Sequence, residues 1–528
     1  MNTPTLARRG FVDRVIFDLA RQFRWSFVPP MMVYFAAGAS GLTTIVGTFY
    51  VKEFLDLSAA YLAGLAFWAG LPWALKMPLG HLVDLIWRWK GLLIFVGAFL
   101  ISASLAIMVG LVTGAPWLPD TLSPGAWYSV SILLAPCGYV VQDAVADAMS
   151  VDAVPRHTEA GQPLSDEVSK SLHTTMQTLG RFALILGASA VAALNIFQFS
   201  GLEALSQEAK AEVYADIYKI AFVIPLISVS GVVLGWLMRH RAGQQAERPD
   251  VTPNWWYFIG GGVFVAMTLG VGLTNVPYSQ ELVFAGSMLI VGFLIAQLVQ
   301  ALEPAKARAL IGTAVIIFVF RAVPLNGPAA TWFEIDVLGF DQQFLSVLSL
   351  VTSLLTLAGM VLLRPLMAST SITWIVILLS IAAAVLSLPG VGLYYGVHTW
   401  TASLTGGVVD ARFIAVINTA VESPLGQVAM IPMLAWIARN APDGLKATFF
   451  AVMASFTNLA LSASSLGTKY LNEIFVVTRE VRGSDGSITV PADYSQLGYL
   501  LITVTLITLI APLLTIVLVQ NSRWRSSD

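Results

Sequence analysis

The chain has 528 residues, of which 57% are hydrophobic and only 11% charged; its mean hydropathy is +0.76 and its formal net charge −2. This composition belongs in a bilayer and excludes a set of soluble domains, while the near-zero charge excludes a nucleic-acid partner. A lone Cys137 in an apolar run excludes a disulfide framework and a cysteine-rich metal site.

Residues 1–27 carry Arg8, Arg9 and Arg14 but no short apolar core with a small-residue cleavage site, so no cleavable signal is expected. Phe11, Val12, Val15, Ile16, Leu19, Phe23 and Phe27 recur at helical spacing and predict an amphipathic helix on the membrane surface. Apolar stretches of spanning length follow at 28–50, 59–86, 90–114, 125–150, 173–198 and 217–238. A second run covers 255–275, 282–302, 309–333, 343–363, 374–396, 413–438, 447–470 and 497–519. Together they predict about fourteen transmembrane helices. Lys and Arg favour one set of connections by roughly three to one, which places both termini in the cytoplasm. The expected order is a surface segment (1–27), a six-helix bundle (28–238), a linker with two extra helices (239–308), a second six-helix bundle (309–519) and a tail (520–528).

Charges inside apolar spans cost several kcal/mol each, so they face a cavity and pair with one another, which points to a transporter. In the second span, Pro72 and Pro78 bend the helix around Lys76, as suits a cavity wall. Three roles fit Lys76: contact with an anionic substrate, a structural ion pair, or snorkelling to the headgroups. Trp73 is the tryptophan placed to line a cavity. Gly80, Asp84, Arg88 and Lys90 then close this span, with Gly80 allowing close helix approach and Asp84 and Arg88 placed to gate.

Asp143 and Asp147 share one face of the fourth span, and Arg181 reaches a similar depth in the fifth. They form either an Asp–Arg clamp or a carboxylate pair that loads and releases a proton. In the second half, Arg321 and Glu422 are expected to form a corresponding charge pair, either around the substrate or locked by packing. Asn418 and Gln427 stand by as neutral hydrogen-bonding neighbours. No metal-ligand spacing, phosphate loop or nucleophile elbow occurs, so neither an enzyme nor a cofactor is expected, and ATP-driven pumping would need a partner subunit.

The Gly80-to-Lys90 pattern resembles the loop signature of the major facilitator superfamily. More specifically, the chain resembles the folate–biopterin transporter family of that superfamily. Leu71-Pro-Trp-Ala-Leu-Lys76 with Gly80 and Asp84 is similar to that family's second-span motif, and Asp143 to Ala148 to its fourth-span acidic motif. In the second half the matching stretches are Phe320-Arg-Ala-Val-Pro324, Leu338-Gly-Phe-Asp341, Val421-Glu-Ser-Pro-Leu-Gly-Gln427, Met430-Ile-Pro432, Pro442-Asp-Gly-Leu-Lys-Ala-Thr-Phe449 with Asn458, and Tyr494-Ser-Gln-Leu497. Met77 and Lys446 depart from the family pattern, and the helix pair at 255–302 lies outside its core. The resemblance implies an all-α polytopic membrane protein with the major facilitator fold: two six-helix bundles plus two inserted helices. It also implies a monomeric, proton-coupled carrier of a small organic anion in a bacterial inner membrane. The acidic fourth span, from Gln142-Asp143 through Asp152 with Arg181, is also similar to muropeptide permeases. Bacteriochlorophyll-delivery proteins are a related branch, so a cell-wall permease and a non-transporting assembly or pigment-delivery factor stay open.

Overall fold

The computed structural model describes residues 21–525 except 56, 119, 156–161, 163, 242–252, 254, 273, 275, 301, 364–369, 426–427, 429–445 and 483–487. Most of the expected surface helix, the start of the linker (242–252 and 254), and Gln427 therefore lie outside the described residues.

Helices dominate. In the first half, α1 (Val28–Ala39) and α2 (Thr44–Phe54) form one crossing, joined by a 3₁₀ turn. Next, α3 (Ala59–Gly70) and α4 (Lys76–Leu85) flank a 3₁₀ segment, Leu71–Leu75. Then come α5 (Lys90–Val112), α6 (Pro124–Asp152), α7 (Asp166–Gln198), α8 (Gln207–Ala221) and α9 (Val223–Arg241). The inserted hairpin is α10 (Trp255–Gly272) and α11 (Ser279–Val299). The second half holds α12 (Pro304–Arg321), α13 (Pro328–Asp336), α14 (Gln342–Leu362), α15 (Ile372–Tyr394), α16 (Val397–Leu404), α17 (Ala411–Glu422), α18 (Lys446–Ile474) and α19 (Leu497–Gln520). A small antiparallel ribbon, β1 (Val481–Arg482) with β2 (Ile488–Val490), precedes α19.

Local chemistry sets these ends. Ser58, Ser123 and Ser371 cap α3, α6 and α15 by accepting a backbone N–H, as N-cap hydroxyls do. Pro124, Pro304 and Pro328 occupy first turns, where a missing N–H costs nothing. Pro72 sits in the 3₁₀ segment, and Gly327, at φ +73°, makes the turn into α13 that an L side chain would resist.

Among the described residues, ten stretches are long and apolar enough to cross a membrane. Four expected spans are not among them. Those at 59–86 and 309–333 are split by the breaks at Leu71–Leu75 and 322–327, and the one at 413–438 lies partly outside the described residues. The fourth, α18, is unbroken over 29 residues, but its first six side chains lie outside the described residues, and the described remainder carries Thr457, Asn458, Ser462, Ser464, Ser465, Thr468, Lys469 and Asn472.

Within the first half, α1 packs on α7 and α9, and α5 on α6; in the second, α15 packs on α19, and α12 on α18 and α19. The α1–α7 approach depends on Gly187, where a Cβ would sit 2.2 Å from the Phe35 carbonyl oxygen. Two seams join the halves: α3 and α4 against α18, and α7 against α14. The inserted hairpin lies along the first seam. Gln280 Nε2 donates to the Gly64 carbonyl of α3 (3.1 Å), while Glu281 accepts from Tyr470 and pairs with Lys469 (3.5 Å), both on α18. Phe67, Leu71, Ala74, Phe264, Val283 and Leu466 close one buried cluster from all three parts. Lipid tails are as apolar as these side chains, so burial drives this docking weakly and the polar ties fix its position.

Candidate functional site

The 3₁₀ segment Leu71–Leu75 ends where α4 begins, and Lys76 is the first residue of that helix. Its ammonium lies 2.6 Å from Asp143 Oδ2 and 2.8 Å from Asp147 Oδ2, so it bridges two carboxylates one turn apart on α6. Tyr34, on α1, donates its hydroxyl to Asp147 Oδ1 at 2.8 Å. Its ring fits against α7 because residue 180 is glycine: a Cβ there would lie 2.8 Å from the ring. Asp147 stays 42% exposed and Lys76 23%, so the cluster borders an opening and is not sealed by packing. Arg181 acts on both aspartates only at longer range and makes no ion pair within 4.0 Å among the described residues.

The seventh core helix breaks just after Arg321. The freed backbone is taken up by one face of α18: Ser464 donates to the Val323 carbonyl (2.6 Å), Thr468 accepts from the Leu325 N–H (2.9 Å), and Asn472 donates to the Asn326 carbonyl (3.3 Å). Three polar residues at four-residue spacing thus replace the helical bonds that the break removes. About two turns earlier on α18, Arg321 Nε donates to the Thr457 carbonyl at 3.2 Å. The adjacent Asn458 points the other way and donates to the Trp73 carbonyl at 3.3 Å, inside the α3–α4 break.

At the end of the molecule remote from Ser26 and Trp524, polar contacts join the halves. Lys52 pairs with Asp336, buried Arg479 donates to the carbonyls of Lys52 (2.8 Å) and Leu55, and Gln342 donates to the Tyr214 hydroxyl (2.8 Å). Arg479 also lies over the Trp332 ring, at 5.5 Å from its centroid. These contacts hold that end closed.

The structure thus brings together Lys76, Asp143 and Asp147, with Lys76 in the place expected for Arg181. Lys76 is engaged by carboxylates and is not presented to an anion. The expected Arg321–Glu422 pair does not form: Arg321 reaches α18, whereas Glu422 is exposed at the end of α17 with no ion pair within 4.0 Å among the described residues. Asn418 is half-buried, and its Oδ1 has no hydrogen-bond partner among the described residues. Trp73 is half-buried and contributes its backbone carbonyl to the site. At the end of α4, Gly80 meets nothing that a Cβ would touch, Asp84 is half-buried and Arg88 is exposed; it is Lys90, 4% exposed, that pairs with Asp152 and covers Trp87. Sequence reasoning missed Tyr34, Arg479 and the α18 stripe. The Ser464, Thr468, Asn472 spacing was a usable signal for the last of these, since polar residues one turn apart in a span seek partners.

A sequence comparison decides the family: the BT1 family pattern matches residues 37–527. The chain belongs to the BT1 family. It is also 22% identical over 445 residues to the folate-biopterin transporter of Synechocystis sp., covering 83% of this chain and 72% of that protein. Among solved structures, a POT family transporter in complex with 5-aminolevulinic acid superposes with TM-score 0.64 at 12% identity, over 94% of this chain and 96% of the other. The nucleoside transporter NupG (0.55, 10%, 93% and 98%) and a D-xylose-proton symporter (0.52, 12%, 93% and 95%) share the same architecture. At such identities the likeness shows the fold alone. This BT1 protein is an all-α, multi-pass membrane protein with the major facilitator fold, of a transporter family and not an enzyme.

Proposed function

We propose that this BT1 protein is a proton-coupled secondary transporter of a folate- or pterin-type organic anion, working by alternating access. The observation that carries the reading is the Lys76–Asp143–Asp147 cluster. Two carboxylates share one ammonium inside a span, which leaves one negative charge uncompensated and a place for a proton. On the C-terminal side, Arg321, at the mouth of a broken helix, is the cation that meets the anion, with Asn418, Glu422 and Gln427 supplied by a separate span about a hundred residues later and Trp73 by the N-terminal half. Asp84 and Arg88 gate the far end of α4. The substrate class rests on the family and on the Synechocystis relative's name. In this reading the four polar or broken stretches also span, giving about fourteen crossings with both ends in the cytoplasm, and the unit is a monomer in an inner membrane.

The test is uptake of labelled folate and biopterin into liposomes holding the purified protein, beside an anhydro-muropeptide. Accumulation of either pterin above protein-free vesicles is the expected result. Muropeptide uptake without pterin uptake, by folded protein, overturns the substrate class.

A further inference from the structure

The first break and the guanidinium that precedes the second meet at a single step on α18. Asn458 holds the Trp73 carbonyl, three residues before Lys76, and Thr457 holds the Arg321 guanidinium through its own carbonyl. Asn458 meets the N-terminal half through its side chain, while the preceding Thr457 meets the C-terminal half through its backbone carbonyl, so neighbouring residues address the two halves of the molecule. We propose that Asn458 is a positioning residue that couples the Lys76–Asp143–Asp147 cluster to the Arg321 side of the site.

Three features make the coupling mechanical. The 3₁₀ segment Leu71–Leu75 holds Pro72, which donates no hydrogen bond, so this stretch of the second crossing is the easiest to rewind. Lys76 begins the helix that follows, and any turn of the segment moves its ammonium relative to the two carboxylates. And α18 packs on α3, on the 3₁₀ segment and on α4, so a shift of the C-terminal half pulls on that hinge first. Asn458 is the polar grip in this contact, while Ser464, Thr468 and Asn472 hold α18 to the broken seventh helix. A change at the charge cluster therefore reaches Arg321 through Trp73, Asn458 and Thr457, and the reverse holds by linkage. This rests on reading Asp143 as part of the ionisable pair, but not on the identity of the substrate.

The test is a mutant cycle read by spin-label distances and needs no transported ligand. In a Cys137→Ala background of the full chain in nanodiscs, labels at Glu203→Cys and Val408→Cys, both exposed, report the separation of the halves. Asp143→Asn stands in for the protonated cluster and shifts the ratio of closed to open populations by about fivefold or more, a typical coupling between sites. In Asn458→Leu, which keeps the size and removes the donor, the same Asp143→Asn change shifts the ratio less than about twofold, and Asn458→Gln restores most of the response. An undiminished shift in Asn458→Leu overturns the role of Asn458, and so does an Asp143→Asn change with no effect on the wild-type background. Failure of pterin uptake with an intact cycle would instead remove the substrate reading and leave this coupling standing.

Discussion

Without Lys76, Asp143 and Asp147 would stand one turn apart in a span with no ammonium between them and Arg181 only at a distance. Removing the cation from an ion pair that borders an opening costs less than the loss of a fully buried partner, about 1–2 kcal/mol, because solvent compensates part of the charge left behind. Lys76→Met therefore lowers the thermal stability of the detergent-solubilised protein by that order, and adding Asp143→Asn to it recovers a large part. A double variant less stable than the single one would show that the carboxylates do not strain against each other. The aspartates were legible in the sequence, since four-residue spacing on a helix needs no tertiary knowledge. Their cation was not. A five-residue 3₁₀ stretch winds about 20° per residue further than an α-helix, so Lys76 faces about 100° away from where a straight second span would put it. That rotation brings Lys76 to α6 and leaves Arg181 at longer range. Tyr34 had no signal at all, because a tyrosine in an apolar run reads like any packed aromatic.

The elements that matter most are the interrupted ones. Sequence reading placed the second and seventh core spans as continuous, and both carry a break next to a charged residue, at Leu71–Leu75 before Lys76 and at 322–327 after Arg321. Pro72 and Pro324 marked the positions. What hydropathy could not supply was the partner, α18, whose polar face makes the second break affordable in a bilayer. Thr468→Val keeps the shape of that face but orphans the Leu325 N–H, and costs about 1 kcal/mol, the usual scale for a hydrogen bond between membrane helices. Thr468→Ser stays near wild type. Equal unfolding temperatures for Thr468→Val and wild type would mean that the broken segment finds another acceptor.

For the whole molecule, span counting and charge bias led to the expectation of two bundles with a helix pair between them. They could not show that the pair straddles a seam, holding α3 through Gln280 and α18 through Glu281. Nor could they show that Arg479 and the Lys52–Asp336 pair close the end remote from Ser26 and Trp524. Such contacts join residues hundreds of positions apart and leave no local pattern. In the proposed alternating-access cycle they describe one state, shut at one end and held by ties that the other state must break. The most direct test of proton coupling is pterin uptake into liposomes with and without an imposed inward proton gradient, in wild type and in Asp147→Asn. The account predicts uptake stimulated by the gradient in wild type, and in Asp147→Asn a flux that no longer responds to it. Uptake indifferent to the gradient in wild type would contradict it.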